Sequence, residues 1–310
     1  MNNRELYFAE SPFQLLSALE AIYYYKPSSY VLVIRYANQS DAKQLKNMIH
    51  LLKLDTSYLK IIDGSSTCKV RKYFNESAFL IWMLLYHKKY SRVYLGTTKS
   101  RYLNVVRDYF LKEKKIIYLD DGSASLVIQD SFTDSHSFDY FTMFEMVAFK
   151  NQSIITHNFE YFHTQLGIDV IPKKSTVVIL GNKFYEAGML SREDSEYLLK
   201  KIMDDLGNED VLYVAHRGES KEKLYSIQKE HKLDVVQYDF PIELYALYKK
   251  ELPKQVVSLF STALFSLSKI YPDLKVTAYK MNTNKLLDHS KNYKELYDVY
   301  ADYIEIIDIT

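Results

Sequence analysis

LYFAESPFQLLSALEAI, Leu6 to Ile22, decides how the chain has to be read. Leu6 to Ala9 is an unbroken apolar run of strand length. Ser11 is a good N-cap, and Pro12 fits the first helical position, where its missing N–H costs nothing. Leu15, Leu16, Leu19 and Ile22 then recur at helical spacing. A buried strand that turns at once into a helix opens a parallel α/β unit.

The same alternation continues outward. Strands are expected at 30–35, 58–62, 92–95 and 115–119, with helices at 41–52, 76–89 and 101–112 between or beside them. Residues 126–174 break the rhythm with a dense run of Phe and Tyr. A domain joint is expected near Ile171-Pro172-Lys173-Lys174. The alternation resumes with strands at 176–180, 211–215, 233–237, 255–260 and 274–278. Helices are expected at 192–206 behind the capping pair Ser191/Asp194, and at 221–231, 241–250 and 262–270. The fold class expected from this alternation is α/β: two Rossmann-like, doubly wound parallel-sheet domains facing a cleft. They occupy 1–172 and 173–290, and a terminal helix in 291–310 could cross back to the first. In such sheets ligands sit beyond the carboxyl ends of the strands.

Composition removes several classes of function. The chain has 310 residues, 47% of them hydrophobic, enough for a sizeable core. Lys and Arg number 40 against 39 Asp and Glu, for a net charge of +1, so nothing electrostatic points to nucleic acid. The single cysteine, Cys68, offers neither an internal disulfide nor a zinc cluster. The opening residues lack a signal-peptide core, and no apolar run reaches membrane-spanning length, so a cytoplasmic protein is expected. The Gly-rich dinucleotide fingerprint, the phosphate-binding P-loop, the zinc-protease and serine-hydrolase motifs and the Asp-x-Asp metal clamp are all missing from the sequence.

Four short motifs remain, each just after an expected strand. Asp120-Asp121-Gly122-Ser123 offers a carboxylate able to take a proton from a hydroxyl, or simply an Asp-Gly turn. His216-Arg217-Gly218-Glu219 offers an imidazole for a leaving phosphate oxygen and a guanidinium for an anion, or a histidine that merely ends a strand. Ser261-Thr262 opens a helix, where hydroxyls and backbone N–H groups can hold an anion or serve as an ordinary N-cap. Gly181-Asn182-Lys183 lets backbone approach a ligand closely, with Glu186 in the same loop, or caps a helix. His136, His157 and His163 lack metal-ligand spacing and are read as structural or solvent-facing.

In order, Ser11-Pro12-Phe13-Gln14-Leu15-Leu16, Tyr118-Leu119-Asp120-Asp121-Gly122, Val178-Ile179-Leu180-Gly181, Tyr213-Val214-Ala215-His216-Arg217 and Leu259-Phe260-Ser261-Thr262-Ala263-Leu264 resemble the bacterial sialyltransferases of glycosyltransferase family 52, the neisserial lipooligosaccharide type. Related polysialyltransferases share the acidic, His and Ser/Thr elements. The resemblance runs from residue 5 to about residue 280. It implies a GT-B-like fold with 1–172 as the acceptor side and 173–290 as the nucleotide-sugar side, a CMP-sialic acid donor, inversion at the anomeric carbon and no metal or other cofactor. By resemblance Asp121 activates the acceptor hydroxyl, and His216 protonates or binds the departing phosphate together with Ser261 and Thr262. Gly181, Asn182, Arg217 and Glu219 fall to the donor side, and Ser11, Gln14, Asp120, Gly122 and Ser123 to the acceptor or cleft side. Two departures stand out. Many relatives have His-Pro where this chain has His216-Arg217. The neisserial type also draws its base from the loop after the Leu-Gly strand, at the position of Phe184 here, which keeps Glu186 beside Asp121 as a candidate base.

The expected partners are therefore CMP-sialic acid and a glycan acceptor ending in a sugar such as galactose, and no nucleic acid. The expected product is a bacterial surface glycan such as lipooligosaccharide, O-antigen or capsule. Peripheral attachment to the inner membrane and a homodimer are allowed for. The competing readings are a same-fold glycosyltransferase with another donor, and a non-catalytic nucleotide- or glycan-binding protein.

Overall fold

The structure, a computed structural model, describes residues 4–122, 125, 138–149, 151–165, 174–287 and 293–309. Ser123, His136 and the joint expected at Ile171-Pro172-Lys173 lie outside the described residues. The chain divides into two compact units, each built on its own parallel sheet.

Among the described residues the first unit has β1 (Arg4–Ala9), α1 (Pro12–Tyr25), β2 (Ser29–Tyr36), α2 (Gln39–Leu51), β3 (Leu59–Asp63) and α3 (Lys69–Tyr86). It continues through β4 (Tyr90–Leu95), α4 (Arg101–Phe110), β5 (Lys115–Tyr118), β6 (Asp139–Thr142), β7 (Ile154–Thr156) and α5 (Glu160–Gln165). The strands lie in the order β3-β2-β1-β4-β5-β6-β7, and every pairing is parallel. Alternation along each strand explains the two covered faces. Leu6, Phe8, Val31, Val33, Val93 and Leu95 meet Phe79 and Met83 of α3 and Leu103 and Val106 of α4 in one core. The intervening Tyr7, Leu32, Ile34 and Tyr94 are buried as well, and α1 and α2 pack against β1 and β2. Tyr7 and Tyr94 stack at 4.1 Å across the central strand pair.

The second unit has β8 (Val177–Leu180), α6 (Arg192–Leu206), β9 (Val211–Val214), α7 (Lys221–His231), β10 (Asp234–Val236) and α8 (Tyr245–Lys249). Then follow β11 (Gln255–Ser258), α9 (Thr262–Ile270), β12 (Lys275–Lys280), α10 (Tyr293–Ala301) and β13 (Glu305–Asp308). The strand order β10-β9-β8-β11-β12-β13 repeats that of the first six strands of the first unit. Each sheet reverses its winding at one place, between β1 and β4 and between β8 and β11, where α/β sheets of this order bind ligands.

Four expectations change. The break at 126–174 contains two further parallel strands, β6 and β7, where short runs of Tyr, Phe and Ile extend the first sheet. The third helix starts at Lys69 instead of Glu76. The helix expected over 241–250 is a 3₁₀ turn, Ile242–Leu244, followed by α8. The terminal helix ends at Ala301 and is followed by β13, which pairs with β12, so both belong to the second unit.

Candidate functional site

At the carboxyl end of the first sheet, Ser11 caps α1, its hydroxyl accepting the Gln14 N–H at 3.3 Å, with Pro12 in the first turn. The cap aims Gln14 back over the ends of the strands. Its Oε1 accepts the Glu10 N–H at 2.8 Å, and its Nε2 donates to Asp121 Oδ1 at 2.8 Å. Between them lies Gly96, at the end of β4, where a Cβ would collide with the Gln14 amide. Gln14 therefore bridges the ends of β1 and β5 across β4, and Asp121 is half-exposed at the end of that bridge. Gly122 follows at φ +64, a turn conformation that favours glycine.

Asp120 has a different place. It is wholly buried, with Oδ1 accepting from the Thr142 hydroxyl at 2.5 Å and Oδ2 from the Met143 N–H at 2.6 Å. His157, stacked on Phe141, stands 3.3 Å from the same oxygen. This carboxylate ties β5 to the ends of β6 and β7 and does not present itself to solvent.

Glu10 was absent from the candidates read in the sequence. It is buried and paired at 2.8 Å with Arg35, which also reaches Glu76 at 2.5 Å and lies over the Tyr102 ring. Burial raises the Glu10 pKa against the opposing pull of Arg35, and the charge of Asp121 nearby pushes in the same direction as burial. The register Ala9↔Ile34 places Glu10 and Arg35 at adjacent strand ends, so the pair becomes visible once β1 and β2 are aligned.

Glu20, His157 and Glu160 bring possible metal-ligand atoms within 4.8 Å of one another. Glu20 already accepts the Tyr161 and Phe162 N–H groups at 2.9 and 3.2 Å and so caps the start of α5. Burial raises its pKa to about 8. The grouping is thereby accounted for as a helix cap.

In the second unit Gly181, His216 and Ser261 follow β8, β9 and β11, three neighbouring strands. The His216 loop is fastened from beneath by Glu219. That buried carboxylate accepts from the His216 N–H at 2.6 Å, the Tyr213 hydroxyl at 2.7 Å and Lys223 Nζ at 2.8 Å. Lys223 also donates to the Asn182 carbonyl at 2.8 Å, which joins the Gly181 loop to the same hub. Burial raises the Glu219 pKa, partly offset by Lys223. A Cβ on Gly181 would collide with the Glu219 carboxylate and stand 2.7 Å from the Tyr213 hydroxyl, so glycine is required for packing. Glu186 accepts the Ser220 N–H at 2.9 Å, at the N-cap of α7, and stands 3.8 Å from Lys223. Asn182 Oδ1 accepts the Phe184 N–H at 3.1 Å and turns the loop; Phe184 itself is buried.

His216 Nδ1 accepts the Gly218 N–H at 3.0 Å, which leaves the proton of the neutral ring on Nε2. Burial lowers the His216 pKa to about 4, helped by the positive charges of Arg217 and Lys183. The ring is thus a neutral N–H donor at pH 7, in surroundings that favour an anion. Ser261 caps α9, its hydroxyl accepting the Ala263 N–H at 3.2 Å, and Thr262 is the first helical residue. The free protein should show a His216 titration midpoint near 4 by NMR. A bound phosphate should move it upward, because the anion stabilises the protonated ring. A midpoint near 6.5 in the free protein contradicts this environment.

The fold that carries these strand ends has known counterparts. The structure of Methanocaldococcus jannaschii UDP-GlcNAc 2-epimerase in complex with UDP-GlcNAc and UDP superimposes with a TM-score of 0.56 at 10% identity, over 99% of this chain and 89% of that one. Neisseria meningitidis UDP-GlcNAc 2-epimerase bound to UDP-GlcNAc gives a TM-score of 0.50 at 10% identity, over 99% and 87%. The fold is of the GT-B type. At this identity the likeness is one of fold. No protein-family profile and no curated protein matches the chain.

Within the second unit a cavity of about 50 Å³ opens between α6 and α7, lined by Asn182, Tyr185, Leu199, Tyr213, Lys223 and Ile227 among others. At ~10–15 Å³ per water it has room for a few enclosed waters. No helix among the described residues is long and apolar enough to cross a membrane.

Proposed function

We propose that the chain is an inverting glycosyltransferase that moves sialic acid from CMP-sialic acid to a sugar hydroxyl of a bacterial surface glycan, without a metal ion. The observation that carries this reading is the convergence of Gly181, His216 and the Ser261-Thr262 helix start at the winding reversal of the second sheet. Imidazole N–H, hydroxyl and helix-start N–H groups receive a single esterified phosphate directly. The five short motifs shared with family 52 point to CMP-sialic acid among the nucleotide sugars a GT-B protein could take.

In the proposed reaction the acceptor hydroxyl gives its proton to Asp121 as its oxygen bonds to the anomeric carbon of the sialic acid. The bond from that carbon to the phosphate oxygen breaks, and its electron pair stays on the phosphate. His216 Nε2–H donates to that oxygen. The growing charge on that oxygen strengthens the hydrogen bond and raises the imidazole pKa, so the ring holds a proton more readily beside the leaving phosphate, and Arg217 and Lys183 favour the CMP anion throughout. Gln14 orients Asp121. Glu219 acts through His216 and Gly181 and is a positioning residue.

Calorimetry tests the donor. CMP is expected to bind with unchanged affinity in EDTA, and more tightly than UDP or UDP-GlcNAc. Ser261→Ala with Thr262→Val should weaken CMP binding by roughly 1–3 kcal/mol. Tighter UDP binding would move the reading to another donor, and loss of CMP binding in EDTA would end the metal-free assignment.

A further inference from the structure

The outer face of α3 has the wrong composition for a helix facing water. Its inner face carries Phe79 and Met83 into the core, with Leu80 and Trp82 packed behind them. The opposite face carries Val70, Tyr73, Phe74, Ile81, Leu84 and Leu85, between 61% and 78% exposed. These positions recur at helical spacing, with the small Ser77 and Ala78 between the two groups, so they form one stripe along the helix. Beside α3 packs α4, which carries its own exposed aromatic, Tyr109, at 80%. A continuous apolar surface of this kind marks an interaction site.

Charge selects the partner. Lys69, Arg71, Lys72, Lys88 and Lys89 stand along and beyond the ends of the stripe. The only carboxylate between residues 68 and 89 is Glu76, which is half-buried and held by Arg35. We infer that α3 lays this face on an anionic lipid surface. The apolar side chains enter the headgroup boundary while the flanking cations meet lipid phosphates. A second copy fits less well, because pairing two such faces would set five cations against five more. The inference stands apart from the donor reading and names the surface for the peripheral attachment that the sequence allows.

Sedimentation of the whole chain with lipid vesicles tests it. The protein should bind vesicles of phosphatidylcholine with phosphatidylglycerol roughly tenfold or more better than phosphatidylcholine alone, and release as salt rises. Ile81→Glu with Leu84→Glu, and separately Lys88→Glu with Lys89→Glu, should each lose roughly tenfold or more of that binding. Melting curves check both folds, and if the first pair fails to fold the second decides alone. Equal binding to both vesicle types, or charge-reversed protein that binds as well as the parent, overturns the inference. So does a lipid-free dimer that Ile81→Glu with Leu84→Glu converts to monomer while the parent ignores phosphatidylglycerol.

Discussion

Asp121→Ala and His216→Ala are each expected to lose at least about 10²-fold in turnover of CMP-sialic acid, with melting curves close to the parent's. In the proposed reaction the acceptor hydroxyl is a poor nucleophile at neutral pH, and CMP departs with added negative charge. Removing the group that takes the proton, or the one that stabilises the leaving oxygen, strips an acid–base contribution of about 10²–10⁴-fold. Asp121 is half-exposed, so alanine there costs little packing. Glu186→Ala discriminates between the two candidate bases. Its carboxylate is engaged by the Ser220 N–H, at the cap of α7. Its loss should leave turnover within about tenfold of the parent, since what goes is a cap contribution and not a proton transfer. An inactive Glu186→Ala beside an active Asp121→Ala reassigns the base. Normal turnover in His216→Ala removes the mechanism and leaves the fold.

Lys223→Met should be the most destabilising single change around the His216 loop. The Lys223 ammonium and Glu219 carboxylate are 2.8 Å apart, with side chains 13% and 0% exposed. Removing one partner of a buried pair leaves the other charge uncompensated, at a cost of about 3–5 kcal/mol. Glu219 has a partial escape, since burial already raises its pKa and it can take up a proton. The sign follows: its folded pKa lies above its unfolded one, and losing Lys223 raises it further. Stability is then lost as pH rises from the ordinary glutamate range through the folded pKa. Urea unfolding should therefore show a larger deficit for Lys223→Met at pH 8 than at pH 5. A deficit under about 1 kcal/mol at pH 8 would show that the pair contributes as little as an exposed one.

Much of this frame was legible because caps and periodicity are local. Ser11 with Pro12, Ser191 with Asp194 and Ser261 before Thr262 mark helix starts, and the structure has helices beginning behind each. The start of α3 was hidden because Val70, Tyr73 and Phe74 lie on its exposed face, so their pattern did not read as a core stripe. β6 and β7 were missed because four- and three-residue strands in a Tyr- and Phe-rich run carry too little alternation. Asp121 in the first unit and His216 and Ser261 in the second stood out as polar residues at strand ends. Glu10 and Gly96 did not, because Arg35 and Gln14 reach them only in the folded unit, and Lys223 did not, because the Asn182 loop joins it only there. Lys223 left one local trace, the spacing of four residues from Glu219 along the start of α7.

The passage of Gln14 over Gly96 constrains how this protein can diverge. A side chain at 96 would evict the amide that holds both the Glu10 backbone and the Asp121 carboxylate. Among descendants of this sequence that keep the activity, glycine at 96 and glutamine at 14 should therefore be inherited or lost together. A lineage that fills 96 has to shorten 14 and find Asp121 another donor. Grafting such a residue pair from one homologue into another would succeed only as a pair, a form of epistasis rooted in one close approach between a side chain and a backbone.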